Sequence, residues 1–338
     1  MLRKRNLLSR VITWEFALLA LLIIELAVMT SVLPGFADLS VLLSSSTTFL
    51  SEIVAALALT LPIISGGIDL SVGSVASFSA VLVGVLYKAG IDIWLVIILA
   101  LIGGLVVGLI NGIVIVKSHV DPFIVTLGSL FAFASLASFI EGTAPPVFLP
   151  SSFAALSSSY VFGVIPSGFI YVIIAGIVLS LVLHRTVFGR YVVLLGQNHE
   201  AARYAGLAVN RTIINVYMIS GFLAALAGVV GASEFGATRV GVGSDLLLPA
   251  ITIVVLGGVN IFGGAGSVFG VMISGLLVGY LGQGLLSFNL TPIIVQMVIG
   301  VLLLAVFAIK SMQNSASIQA IFMRMRISRA TPRRNLSG

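Results

Sequence analysis

The chain has 338 residues, 59% of them hydrophobic and only 8% charged, with a formal net charge of +6 and no cysteine. Soluble domains carry about 25% charged residues, so this composition excludes a soluble globular protein and describes an all-α polytopic membrane protein. Without cysteine there is no disulfide, no thiolate nucleophile and no cysteine metal site.

A membrane span needs about 20 mostly apolar residues. Ten segments are read as spans: 14–33, 47–65, 70–87, 93–116, 122–141, 168–184, 213–232, 245–262, 267–287 and 292–309. The third and eighth are the weakest, being short or interrupted by glycine. Residues 1–13 form a basic N-terminus, 14–310 the transmembrane domain and 311–338 a basic tail. The first apolar run exceeds an ordinary signal core and no small-residue cleavage site follows it, so it reads as a retained span.

The first span contains Glu25, a carboxylate inside a membrane segment and so a functional candidate. Between spans two and three lies a glycine-rich break, GGIDLSVGS at 66–74, where glycine lets the backbone leave the helix. Asp69 within it reads either as a cap for the next span, with Ser71 adding local hydrogen bonds, or as part of a substrate path. Asp121 and Pro122 open the fifth span, Asp as N-cap and Pro in the first turn. Neutral polar residues inside spans (Asn111, Thr126, Ser129, Gln283, Gln296) suit either a hydroxylated ligand or helix–helix hydrogen bonds. The GxxxG pairs Gly104–Gly108 and Gly275–Gly279 suit close helix packing. Residues 141–166, rich in proline and serine, read as an exposed connection.

Residues 185–212 are a polar interruption with a short helical pattern, HEAARYAG. A second glycine-rich break, LGGVNIFGGAG at 256–266, resembles the first, with Asn260 where Asp69 stands. Broken helices in corresponding positions of two halves are a transporter feature. With both termini cytoplasmic, 15 of the 17 Lys and Arg residues fall on the cytoplasmic side, leaving Lys88 and Arg239 outside. That asymmetry follows the positive-inside rule and requires an even number of spans. It also makes 185–212 a cytoplasmic loop suited to docking a soluble partner.

No catalytic set is visible. His119, His184 and His199 have no partner at metal-ligand spacing, and no GxxxxGK[ST] phosphate loop is present. A stand-alone ion-driven transporter would need paired titratable groups near mid-membrane, and Glu25 alone is a poor case for one. A membrane enzyme lacks a visible site, and a passive scaffold does not need broken helices.

Four motifs in order, GGIDLSVGS (66–74), PFIVTLG (122–128), FGRYVVLLGQNHEAARYAGLAV (188–209) and LGGVNIFGGAGSVFG (256–270), resemble the permeases of ribose-type ABC importers. WEFALLALLIIELAV (14–28), GLAVNRT (206–212) and LLPAITIVVLGGVNIFGGAGS (247–267) are similar to the branch that imports autoinducer-2. Ribose, rhamnose or another monosaccharide is the alternative cargo. The resemblance implies about ten helices, a second permease subunit, two cytoplasmic ATPase subunits and a periplasmic substrate-binding protein. ATP and magnesium would then sit on the ATPase, with no cofactor and no catalysis on this chain, in a bacterial inner membrane. It further implies that Gly196, Asn198, Glu200, Ala201, Ala202, Arg203 and Gly206 belong to a coupling element seated on the ATPase. The motif and helix-break positions carried over are Gly66, Gly67, Asp69, Ser71, Gly73, Pro122, Thr126, Gly128, Gly257, Gly258, Asn260, Gly263, Gly264 and Gly266.

Overall fold

The computed structural model describes residues 7–33, 36, 38–142, 146–238 and 240–314. The basic residues of the tail, those at 3–5, and Pro145 and Arg239 lie outside the described residues.

Eight helical stretches are long and apolar enough to cross a membrane: α1 (Leu7–Val32, apolar from Trp14), a run of α2 (Leu39–Ser45) into α3 (Leu50–Ile64), α5 (Ile93–Ser118), α6 (Pro122–Glu141), α8 (Ser167–Arg185), α11 (Val209–Phe235), α13 (Val268–Ser287) and α14 (Pro292–Asn314). Two more, α4 (Val72–Lys88) and α12 (Leu247–Leu256), are apolar but shorter. They match the third and eighth expected spans, and each lies beside a glycine-rich break. The all-helical membrane architecture expected from composition is therefore borne out. α12 is shorter than the expected 245–262 because its helix ends at Gly257. The second expected span starts earlier than read, since α2 and a 3-10 turn (Ser46–Phe49) precede α3.

Local signals place the ends. Asp92 accepts a hydrogen bond from Trp94 N to start α5, and Asp121 accepts one from Phe123 N to start α6, with Pro122 in the first turn. Those caps satisfy amide groups that the first turn leaves without partners. The stretch 141–166 is not a bare connection. It folds α7 (Ser151–Ser158) and a two-stranded hairpin, β1 (Tyr160–Val161) and β2 (Ile165–Pro166), and buries Phe153 completely.

α3 is the centre of the bundle, buried along nearly its whole length. The outer faces of α5, α6, α8 and α14 carry exposed Ile98, Phe131, Phe139, Ile174, Val301 and Leu304. Lipid is as apolar as these side chains, so their exposure costs nothing there, and helix association depends on close packing. Small residues supply it. A Cβ on Gly104 would lie 2.5 Å from Gly221 O, and one on Gly112 2.8 Å from Ile214 Cα, so α5 and α11 run antiparallel with their backbones in contact. Gly275 meets Ile53 and Gly279 meets Phe49 along an antiparallel α13–α3 seam. The GxxxG pairs thus serve packing.

Trp14 at the start of α1 and Lys310 near the end of α14 both donate to carbonyls at the C-terminal end of α12. Both ends of the described bundle therefore lie beside the end of α12.

Candidate functional site

The polar stretch folds into α9 (Val187–Gln197) and α10 (His199–Tyr204) before α11 begins. α10 is one and a half turns long, far too short to persist alone, so its ends are fixed locally. Asn198 accepts a hydrogen bond from Ala201 N at 2.9 Å and caps the start. At the other end Leu207 N donates to Ala202 O at 3.1 Å and Gly206 N to Arg203 O at 3.1 Å. That pair of bonds is a Schellman closure, which places its glycine in the left-handed region, and Gly206 has φ +78°. Glu200, Ala201, Arg203 and Tyr204 face outward, Tyr204 at 89% exposure, and only Ala202 is buried.

The start of this helix is tied to the first glycine-rich break, and the end of α9 just before it packs against both breaks. The His199 ring nitrogen Nε2 lies 3.1 Å from Ser65 O at the end of α3. Gly264 N donates to Ile64 O at 2.8 Å. Gly196 sits against both: a Cβ there would overlap Ile64 O and lie 2.5 Å from Gly264 N. A Cβ on Gly263 would lie 2.7 Å from Gly196 O and 3.0 Å from Gly66 Cα. Three backbone segments distant in sequence thus meet where no side chain fits.

Further into the bundle, Asp69 is buried and, among the described residues, has no basic partner. Its Oδ1 accepts from Ser71 N at 3.0 Å and Ser71 Oγ at 2.6 Å, and its Oδ2 from Ser220 Oγ of α11 at 2.7 Å. Asn111 Nδ2 of α5 donates to Ser71 Oγ at 3.0 Å. Thr126 Oγ1 donates to Ile68 O at 3.1 Å or to Pro122 O at 2.8 Å, holding α6 against the break. The cap position of α4 itself is Ser71; Asp69 stands two residues before it and joins the break to α11. Asn260 behaves differently. Its Oδ1 accepts from Phe262 N at 3.2 Å and its Nδ2 donates to Gly263 O at 2.9 Å, so it closes its own loop.

The remaining motif residues are mostly packing points. Gly67 admits Tyr217 and Pro122, and Gly73 admits the backbone of Gly243. Gly257 touches Val271, Gly258 faces Trp14, and Gly266 packs on Ile64. Gly128 faces open space. Among the described residues no group of three His, Cys, Asp or Glu could hold a metal ion.

Four residues outside the sequence-predicted set complete this end: His199, Ser220, Trp14 and Lys310. Trp14 Nε1 donates to Leu256 O at 3.0 Å, and Lys310 Nζ donates to Val255 O and, at 3.2 Å, to Val259 O. Together they satisfy carbonyls that the end of α12 exposes, and the cation also opposes the negative helix end. Lys310→Met is expected to lower the stability of the purified protein by about 1–2 kcal/mol, read as a drop in melting temperature in detergent.

A helical membrane bundle with broken helices, and a short outward-facing helix that follows an α9 end packed against both breaks, is the build of a transport component. The chain belongs to the family described as branched-chain amino acid transport system / permease component, whose model matches residues 41–307. It is 42% identical over 278 residues, 80% of this chain and 84% of the relative, to the autoinducer 2 import system permease protein LsrD of Escherichia coli K12. The Shigella flexneri protein of the same name matches to the same extent. Among solved structures, a metal-chelate type ABC transporter in an inward-facing conformation shares the fold at TM-score 0.52 and 16% identity, over 87% of this chain and 97% of the other. The resemblance to ABC importer permeases read from the motifs is borne out, and the chain is a membrane permease component.

Proposed function

We propose that this chain is the permease subunit of an ATP-driven importer that carries autoinducer-2, or a related small sugar-like molecule, across the bacterial inner membrane. The single observation that carries the reading is α10: exposed on its outer face, held to the first helix break by His199, and continuous with the end of α9, whose Gly196 packs against both breaks. Such an element receives force from a soluble partner and passes it into the bundle. The cargo follows from the 42% identity to permeases named for autoinducer 2 import; ribose or rhamnose remains the alternative within the same chemistry.

The end bearing α10 faces the cytoplasm, with both chain ends, because Arg185, Arg190, Arg203, Arg211, Lys117 and Lys310 gather there. Two ATPase subunits, a second and different permease chain, and a periplasmic binding protein complete the transporter. ATP and magnesium belong to the ATPase. A push on α10 acts along two routes. One runs through Ser65 and the glycine junction to α3 and the 257–266 loop. The other runs through 205–208 into α11, whose Ser220 holds Asp69. Packed helices then rock as rigid bodies between outward- and inward-open states.

The test is affinity purification of this chain from gently solubilised membranes. Recovery of an ATPase, a second permease and a binding protein supports the reading; this chain alone, where a known ABC complex survives, counts against it. Variants sharpen the test. Glu200→Lys places a cation at the positive end of α10, and Tyr204→Ala removes its exposed ring. Each is expected to cut ATP-driven uptake about tenfold, equivalent to ~1.4 kcal/mol of docking, with unchanged protein in the membrane. Gly206→Val forces a β-branched residue to positive φ at about 1–2 kcal/mol, and should act the same way.

A further inference from the structure

We propose that the cleft between the α4–α5 turn and the start of α7 is a phospholipid site, taking an ammonium-bearing headgroup of the phosphatidylethanolamine type beside Asp92, Trp94 and Tyr87. The cleft holds about 540 Å³, within the roughly 300–1,000 Å³ of small-molecule sites. Tyr87, Asp92, Ile93 and Trp94 line it around the turn, and Pro150 and Ser152 line it from α7.

Its position selects a lipid. The C-terminal half of α5 meets the start of α11, where a Cβ on Gly112 would lie 2.8 Å from Ile214 Cα. The first turn of α5 therefore lies at the membrane boundary away from α10. Trp and Tyr are enriched at that depth. Trp94 is 51% exposed, and Leu95, Ile98 and Ile102 continue the exposed face along α5. A headgroup in the cleft thus has an apolar stripe directly below it for its acyl chains.

Its chemistry selects an ammonium. Asp92 Oδ1 accepts from Trp94 N at 3.0 Å and closes the helix start. Among the described residues, Asp92 Oδ2, Tyr87 Oη, Trp94 Nε1 and Ser152 Oγ have no hydrogen-bond partner. No Lys, Arg or His lines the cleft, so a purely anionic headgroup would meet a carboxylate and no side-chain cation. The full charge of that carboxylate outweighs the half charge of a helix N-terminus. An ammonium is attracted to the carboxylate and to aromatic rings nearby. The free hydroxyl and indole groups can donate to the phosphate and glycerol oxygens of the same lipid.

The chain has two tryptophans, so the emission of Trp94 is the difference between wild type and Trp94→Phe. The full chain is reconstituted in vesicles of equal parts phosphatidylethanolamine and phosphatidylglycerol, with one lipid or the other brominated near the top of its acyl chains to quench a tryptophan it touches. The expected result is about a fivefold preference of the Trp94 position for phosphatidylethanolamine. Asp92→Asn keeps an acceptor for Trp94 N and removes the charge, and should bring that preference to about one. Ser152→Leu fills the cleft from α7, leaves the cap alone, and should do the same should Asp92→Asn fail to fold. Quenching in proportion to lipid composition in the wild type, a preference for phosphatidylglycerol, or a preference unchanged in both variants overturns the inference. Relief of quenching when a periplasmic binding protein is added would assign the cleft to that protein and overturn it as well.

Discussion

Gly196→Val is expected to abolish uptake and to destabilise the purified transporter more than any substitution on the outer face of α10. The added Cβ would overlap the Ile64 carbonyl oxygen, and it would stand 2.5 Å from Gly264 N and 3.0 Å from Ile64 C. All of these are backbone atoms, so no side chain can rotate out of the way. The junction must open, losing the Gly264 N to Ile64 O hydrogen bond of 2.8 Å and drawing α10 off the end of α3. Overpacking a tight site costs about 1–3 kcal/mol and sometimes more, and here the strain falls on the connection that carries the force. Gly128→Val makes the same chemical change where a Cβ meets nothing within 4 Å; it should stay within about 0.5 kcal/mol of wild type. Melting curves and uptake assays on the two variants side by side check the contrast.

Asp69→Ala is expected to remove most of the assembled protein from the membrane. The substitution strands Ser71 N, Ser71 Oγ and Ser220 Oγ in the interior. A buried donor without an acceptor costs about 1–3 kcal/mol. The two hydroxyls can turn toward helix carbonyls, the amide cannot, so a total near 3 kcal/mol is the working figure. Asp69→Asn keeps one acceptor oxygen and should lose less than half as much. Membrane protein levels and melting temperatures separate the two variants. An Asp69→Ala protein as stable as wild type would mean that Asp69 does not hold α11 to the break.

The spans were legible because twenty apolar residues in a row have few other uses, and the basic residues between them give an even count. Asp121 and Pro122 were legible because capping is local chemistry. The polar stretch around α10 stood out for the same reason. What the sequence hid was contact between distant parts. Ile64 and Gly264 are two hundred residues apart, and no local pattern shows that Gly196 closes on both. The likeness of the two breaks was visible, but their roles differ: Asp69 reaches across to α11, whereas Asn260 folds its own loop. His199 has no partner readable from the sequence, and Trp14 and Lys310 carry no local signal for theirs; each binds a carbonyl that only the fold presents. The segment 141–166 read as loop because its helix and hairpin are too short for a periodic signal.

The central claim is that α10 is where the energy-supplying partner docks. The chain contains no cysteine, so a single introduced thiol reports without background. Ala201→Cys places it on the exposed face of α10, and Phe162→Cys, at a residue 93% exposed in the hairpin turn at the opposite end, serves as control. With a short bifunctional crosslinker in native membranes, the account predicts an adduct between the Ala201→Cys chain and an ATPase subunit, and none from Phe162→Cys. An intact, transporting complex that gives no ATPase adduct at Ala201→Cys would contradict it.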